Sequence, residues 1–347
     1  MTAPPLSPAD LAVQLMAVDS TSGREGGVVA LVERLLAGRG WRTTRIPVTP
    51  GRDDLLATSH DAPEVTLSTH LDTVPPFIPP RRDGGRLYGR GACDAKGIAA
   101  AMIVAAERLR GAGVPTALLF VVGEEVTHDG AHAANAVPTT SRVLINGEPT
   151  GNKLAIGTKG ALRMIVRTTG RAAHSAYPHL GESATAKLVS LLARLDEVDL
   201  PHDAVLGDTT VNIGRLSGGV ADNVVAPAAE ARLMARLVGP AAETLERIRA
   251  WAAGEAEVED GEMVPAVRLT PLPGYETDVV AYATDVPNLG NWGTPYLLGP
   301  GSIHVAHTDD EYVEIAELER AVDLYERLAH DALGAAARRG DADARGR

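Results

Sequence analysis

Leu118-Leu119-Phe120-Val121-Val122-Gly123-Glu124-Glu125 is an apolar run that passes straight into two adjacent carboxylates. Pro115 precedes it, and the run reads as a strand buried on both faces of a parallel sheet. Successive side chains of an extended segment point to opposite sides. Glu124 and Glu125 are therefore expected in different roles, one binding a cation and the other addressing a water beside it. Acidic pairs are common on surfaces, so this pair gains meaning only from what surrounds it.

Upstream, Glu64-Val65-Thr66-Leu67-Ser68-Thr69 reads as a strand that delivers His70-Leu71-Asp72. At a spacing of two, His70 and Asp72 share a face if the strand continues. A metal-binding histidine usually has its second ring nitrogen held by a carboxylate, and Asp72 is placed for that. Gly85 to Gly97 is glycine-rich and opens a helix whose buried stripe is Ile98, Ala101, Met102, Ala105 and Leu109. It lacks the Gly-Lys-Ser/Thr ending of a phosphate loop. Asp94 stands just before that helix, as an N-cap or as a bridging ligand facing a cleft. Downstream, Ala131 to Ala136 reads as a short helix, with His128 and His132 read as surface residues. Arg142 to Asn146 is a further short strand, ending in Gly147-Glu148-Pro149. Strands thus end in His70, Glu124-Glu125 and Glu148, and the carboxyl ends of strands form the ligand crevice of an α/β sheet.

Towards the N-terminus, Ser7-Pro8-Ala9-Asp10 reads as a helix start. Ser22-Gly23-Arg24-Glu25 reads as a capping box opening a helix that closes near Gly38 or Gly40. Trp41 to Val48 and Asp54 to Thr58 read as strands. From about Gly160 the pattern changes to strand 161–168, helix 182–195, strands 209–216 and 230–238, helix 241–253 and strand 263–269. That order is the ferredoxin-like βαββαβ unit, inserted as a second domain over 159–269 between 1–158 and 270–347. Arg232 and Arg236 are expected on the face of its sheet away from the helices. The returning chain carries a Gly/Pro loop from Asn291 to Gly301, then Ile303-His304-Val305-Ala306-His307-Thr308-Asp309-Asp310-Glu311. A last helix follows from Ile315, and the final ten residues are expected to fray.

The 347 residues suit two domains. With 45 acidic against 33 basic side chains and a net charge of −12, nucleic acid and anionic membranes are poor partners. No apolar stretch has membrane-spanning length, and the first twenty residues do not read as a signal peptide. Cys93 is the only cysteine; it is expected to be small, buried filler, and its isolation suits a cytoplasmic location.

Taken together, the motifs resemble those of the M20 peptidase family of co-catalytic zinc hydrolases, which includes acetylornithine deacetylase, succinyl-diaminopimelate desuccinylase, aminoacylase and glutamate carboxypeptidase. The resemblance rests on Ser22-Gly23-x-Glu25, His70-x-Asp72-Thr73-Val74-Pro75, Gly89-Arg90-Gly91-x-x-Asp94-x-Lys96-Gly97 and Gly123-Glu124-Glu125. It extends through Gly147-Glu148-Pro149, His174-Ser175-Ala176, Asn212-x-Gly214, Asn223-Val224-Val225-x-Pro227 and His307-x-x-Asp310-Glu311. It implies an α/β catalytic domain with a mainly parallel sheet and an inserted lid and dimerisation domain. It implies two divalent metal ions, zinc first and cobalt or manganese as alternatives. His70 and Glu148 would hold one ion, Glu125 and His307 the other, with Asp94 bridging. Glu124 would be the general base and Asp72 the partner of His70. His174 would reach across a homodimer to the scissile carbonyl, while Asn223 and Arg236 would grip substrate. The acid usual two positions before that arginine is replaced by Met234.

The activity implied is hydrolysis of the amide of a small N-acyl amino acid, N-acetylornithine foremost. The alternatives are a dipeptidase or carboxypeptidase, or a hydrolase freeing lysine or ornithine from an amino-group carrier protein. A catalytically silent dimeric binding protein is the non-enzymatic alternative, and the filled ligand positions weigh against it.

Overall fold

The computed structural model describes the backbone of residues 6–345 and side chains as far as 339. The chain is a mixed α/β protein that divides into two compact units. The first comprises the chain to Ile156, Leu269–Asp278 and everything from Thr284. The second comprises Gly157–Arg268 and, without a signal in the sequence, Val279–Ala283.

The first unit is built on a six-stranded sheet. Its order is Arg42–Thr49, Arg52–Thr58, Thr116–Val121, Val65–His70, Val143–Asn146 and Thr294–Leu297. The first two strands are antiparallel to their neighbours, and the remaining four are parallel to one another. All six residues of Thr116–Val121 are buried. Their alternation divides them between two apolar clusters. Leu118 and Phe120 join the large core with helices Pro8–Met16 and Lys96–Gly111, whereas Leu119 and Val121 join a smaller cluster with Ile46, Leu144 and Trp292. Burial on both sides explains why this stretch is continuously apolar rather than alternating.

Parallel pairing aligns the carboxyl ends. His70 stands opposite Val121, and Ser68 and Leu297 both stand opposite Asn146. The segments that carry His70, Glu124-Glu125 and Glu148 therefore leave the sheet at the same edge.

Several local expectations give way. Glu124 and Glu125 are not extended: the strand ends at Val121, Gly123 takes φ 76°, and the pair sits in a turn. Their different orientations come from the turn, not from strand alternation. The expected capping box does not form. The helix runs Gly26–Gly38 with no side-chain cap, because Ser22 Oγ donates to Asp72 and Glu25 accepts from Arg52. Asp94 is not the cap of helix Lys96–Gly111 either; Ala95 occupies that position. The supposed loop from Asn291 contains the parallel strand Thr294–Leu297, which has only four residues and a proline to announce it. Helix Ile315–Arg345 continues through most of the expected frayed tail, and positions 346 and 347 lie outside the described residues.

The second unit is an antiparallel sheet in the order Thr210–Gly218, Ala228–Leu237, Gly160–Thr169, Glu257–Val264. Helices Ala184–Leu192 and Ala241–Ala252 cover one face, burying Ala231, Leu233, Ala235 and Leu237. The last strand begins at Glu257, earlier than expected from 263–269. Its acid-rich, largely exposed residues hide the usual alternation.

Candidate active site

Five segments of the first unit bring their polar side chains to the edge where the parallel strands end. His70, at the last position of Val65–His70, is buried. Its Nε2 lies 3.1 Å from Asp94 Oδ1. Its Nδ1 lies 3.0 Å from the carbonyl oxygen of Asp72 and 3.4 Å from Oδ1 of the same residue. The strand has ended, so Asp72 reaches His70 through its own turn rather than by continuing the pleat.

Asp72 organises three segments at once. Ser22 Oγ donates to its Oδ2 at 2.9 Å, and the backbone N–H groups of Glu124 and Glu125 donate at 3.1 and 3.2 Å. Burial opposes its ionisation, but the hydrogen bonds from His70 and Ser22 hold its carboxyl below the usual range. One carboxylate thereby fixes the ring of His70 and the turn that carries both glutamates.

Asp94 faces two imidazoles. Its Oδ1 meets His70, and its Oδ2 lies 3.3 Å from Nε2 of His307, whose ring also stands 3.0 Å from Glu125 Oε1. The segment before Asp94 is pinned from behind by the buried Glu311. Glu311 accepts from the N–H groups of Cys93 and Asp94 at 3.2 Å each and from Arg90 Nη1 at 2.7 Å. Cys93 is buried beside this carboxylate, and its thiol is pushed well up, by burial first. Glu148 follows the strand Val143–Asn146 and is 4% exposed, with a buried Oε1 that has no hydrogen-bond partner.

The charge balance is uneven. Burial pushes the carboxyls of Glu124 and Glu148 well above their ordinary values; Glu148 adds to the effect on Glu124, and Asp94 to that on Glu148. His307 is raised to about 10 by hydrogen bonds to Asp94 and Glu125. A buried set of carboxylates that draws protons onto its histidines is short of positive charge. The donors suit divalent cations: imidazole nitrogen and carboxylate oxygen are zinc ligands, and two ligands with bonds of about 2.0–2.1 Å to a tetrahedral ion stand roughly 3.3 Å apart. His70, Asp94 and Glu125 all place ligand atoms within 4.8 Å of one another. His70, Asp72, Asp94, Glu124, Glu125, Glu148 and His307 thus belong to one unit and converge, whereas His304 is exposed and has no part in these contacts.

The remaining expected residues lie in the second unit. His174 and Asn223 occupy adjoining exposed segments, joined by a bridge between His174 and Val224 and by the Ser175 N–H donating to the Asn223 carbonyl. Arg236 lies on the face away from the helices, opposite Thr210 and Ala161.

His128 is not the surface residue that its spacing from His132 suggests. Its ring is largely buried, with Nδ1 2.8 Å from Oδ1 of the buried Asp285 and 3.9 Å from Glu124 Oε1. Asp285 escaped sequence reasoning because no strand pattern leads into it. Arg90 and Glu311 stand within quoted motifs, but 221 positions separate them, and nothing local pairs them.

Residues 66–331 match the peptidase family M20/M25/M40. A probable carboxypeptidase of Aspergillus clavatus is 38% identical over 366 residues, covering 92% of this chain and 81% of that protein. Among solved structures, a tripeptidase from Staphylococcus aureus superposes with a TM-score of 0.78 at 20% identity, over 97% of this chain and all of that one. An M20 family metallo-carboxypeptidase from Sulfolobus solfataricus gives 0.75 at 17%, over 94% and 99%. The chain belongs to peptidase family M20/M25/M40, a family of metal-dependent hydrolases of amide bonds.

Proposed function

We propose that this protein is a two-metal hydrolase that removes a residue from the carboxyl end of a short peptide. The observation carrying the metal assignment is Asp94, whose two oxygens address two different imidazoles, His70 at 3.1 Å and His307 at 3.3 Å. A carboxylate divided in this way could be shared by two cations. His70 and Glu148 would complete one ligand set, and Glu125 and His307 the other. Zinc suits the mixture of imidazole and carboxylate, while the oxygen-rich set also accepts manganese or cobalt. When bound, such ions supply Lewis acidity that polarises an amide carbonyl and lowers the pKa of water to about 7.

The chain's own residues supply the rest. Asp72 holds His70 in one orientation. Glu124 is not a ligand in this assignment; its carboxylate accepts the proton of the attacking water and returns it to the departing amine. In the second unit, Arg236 and Asn223 would bind substrate, the arginine taking a terminal carboxylate. His174 would act on the scissile carbonyl of a partner subunit. The open edge strand Thr210–Gly218, which exposes Ile213 and Leu216, supports a homodimer. The lone Cys93 supports a cytoplasmic setting.

The preference for peptides rests on the relative named a carboxypeptidase, which spans most of this chain. A small N-acyl amino acid, N-acetylornithine above all, is the second reading, as is a lysine or ornithine amide of a carrier protein. All present an amide near a free carboxylate. Metal-loaded protein should be assayed against dipeptides and tripeptides, N-acetylornithine and N-acetyl-lysine, and γ-glutamyl lysine amides. Highest kcat/KM on a peptide supports the first reading, and highest kcat/KM on an acylated amino acid replaces it with the second. Undiminished cleavage after exhaustive chelation would sink the metal assignment itself.

A further inference from the structure

The turn after Glu124-Glu125 carries a second polar cluster, which includes Glu124, His128 and Asp285. His128 Nδ1 lies between two carboxylates, 2.8 Å from Asp285 Oδ1 and 3.9 Å from Glu124 Oε1. Asp285 is buried, and the ring of His128 is 12% exposed. His128 also has φ 52°, in the left-handed region that glycine and asparagine adopt as well.

We propose that His128, anchored by Asp285, is a positioning residue for the general base: its ring stands between the Asp285 and Glu124 carboxylates and keeps the two apart, so that Glu124 stays where the attacking water can reach it. Without that ring, two buried carboxylates would face each other across the space it now fills. The base would then swing away before the water arrives. The cluster also has the residue types of a third cation site. The 2.8 Å separation favours a direct hydrogen bond, because it is shorter than the roughly 3.3 Å between two ligands of one tetrahedral ion.

This inference rests on Glu124 being the base, and the test separates the two. His128→Gly tolerates the left-handed backbone and removes the donor. His128→Asn tolerates it as well and can place its amide N–H where Nδ1–H now sits. With both proteins fully metal-loaded, His128→Gly should lower kcat at least tenfold, leave KM within about threefold and leave the metal stoichiometry unchanged. His128→Asn should recover most of that loss. Equal losses in both variants, or wild-type kcat in His128→Gly, overturn the proposal. So does the loss of one bound metal per chain in His128→Gly, which would make the cluster a cation site. If the unmutated metal-loaded enzyme cleaves no amide, the catalytic reading fails before the variants are compared.

Discussion

At the scale of single residues, the division of labour between two neighbouring glutamates decides what the site can do. Glu125 meets His307 at 3.0 Å, while Glu124 turns towards His128 and Asp285. Removing Glu124 should leave every proposed metal ligand in place. Glu124→Ala is therefore expected to bind metal and fold as the parent does, yet to lose at least ~10²-fold in kcat, the lower range for general acid–base catalysis. Metal analysis and a turnover assay on the same preparation check this, and near-normal turnover would remove Glu124 from the mechanism. The glutamate pair was legible in the sequence, but the cause of its divergence was not. Gly123 at φ 76° turns the chain, and the N–H groups of both glutamates are then tied to Asp72.

At the scale of elements, the turn that carries the glutamates is clamped by an ion network that no local pattern shows. Arg52 donates from Nε and Nη2 to the fully buried Glu25, at 3.1–3.2 Å, and from Nη1 to Asp129 at 2.7 Å. Truncating one member of a buried ion pair leaves the other uncompensated. Glu25→Ala should lower stability by about 3 kcal/mol, towards the lower end of the range for such losses. Removing the exposed Arg42–Asp61 pair should leave it nearly unchanged. Urea midpoints compare the two. Asp54, on the neighbouring strand, accepts from the Val122 N–H at 3.0 Å. Burial, with help from Asp285 and Asp129, pushes its carboxyl up to about 8. The unfolded value is near 3.9, so between about pH 4 and 8 the folded chain holds a proton that the unfolded chain has released. Stability from this group is present below pH 4 and is lost as pH rises to 8, by up to about 1.4 kcal/mol per pH unit. Asp54→Asn keeps an acceptor for Val122 and should flatten that slope. Equal slopes in both proteins between pH 5 and 8 would show that Asp54 titrates normally.

At the scale of the whole molecule, the proposed metal site joins distant parts of the first unit. His70, Asp94, Glu125, Glu148 and His307 span 238 positions in the chain, and each carries buried or half-buried charge. Ions that bind the folded chain more tightly than the unfolded one stabilise it by mass action, about 2.7 kcal/mol at a hundredfold excess over Kd. Stripping metal should therefore lower Tm, and restoring zinc should raise it in proportion to the logarithm of the free ion concentration. A Tm insensitive to chelation and zinc would mean that these side chains bind no ion. Among the described residues no helix is long and apolar enough to cross a membrane.

What the sequence determined by itself was the supply of parts: a strand apolar on both sides, strand ends bearing histidine and carboxylates, and a later βαββαβ pattern. Those features are local, since periodicity and turn residues act over a few positions, and they were enough to reach the family. Tertiary structure alone decided which parts touch. Only the folded chain pairs Arg90 with Glu311, takes Ser22 and Glu25 away from a helix cap to serve Asp72 and Arg52, hides the strand Thr294–Leu297 inside an apparent loop, and draws His128 and Asp285 beside Glu124. The physical reason is the same in each case. The favourable energy of these contacts comes from partners 27 to more than 200 residues away, largely buried out of water, so nothing near either residue in sequence records it.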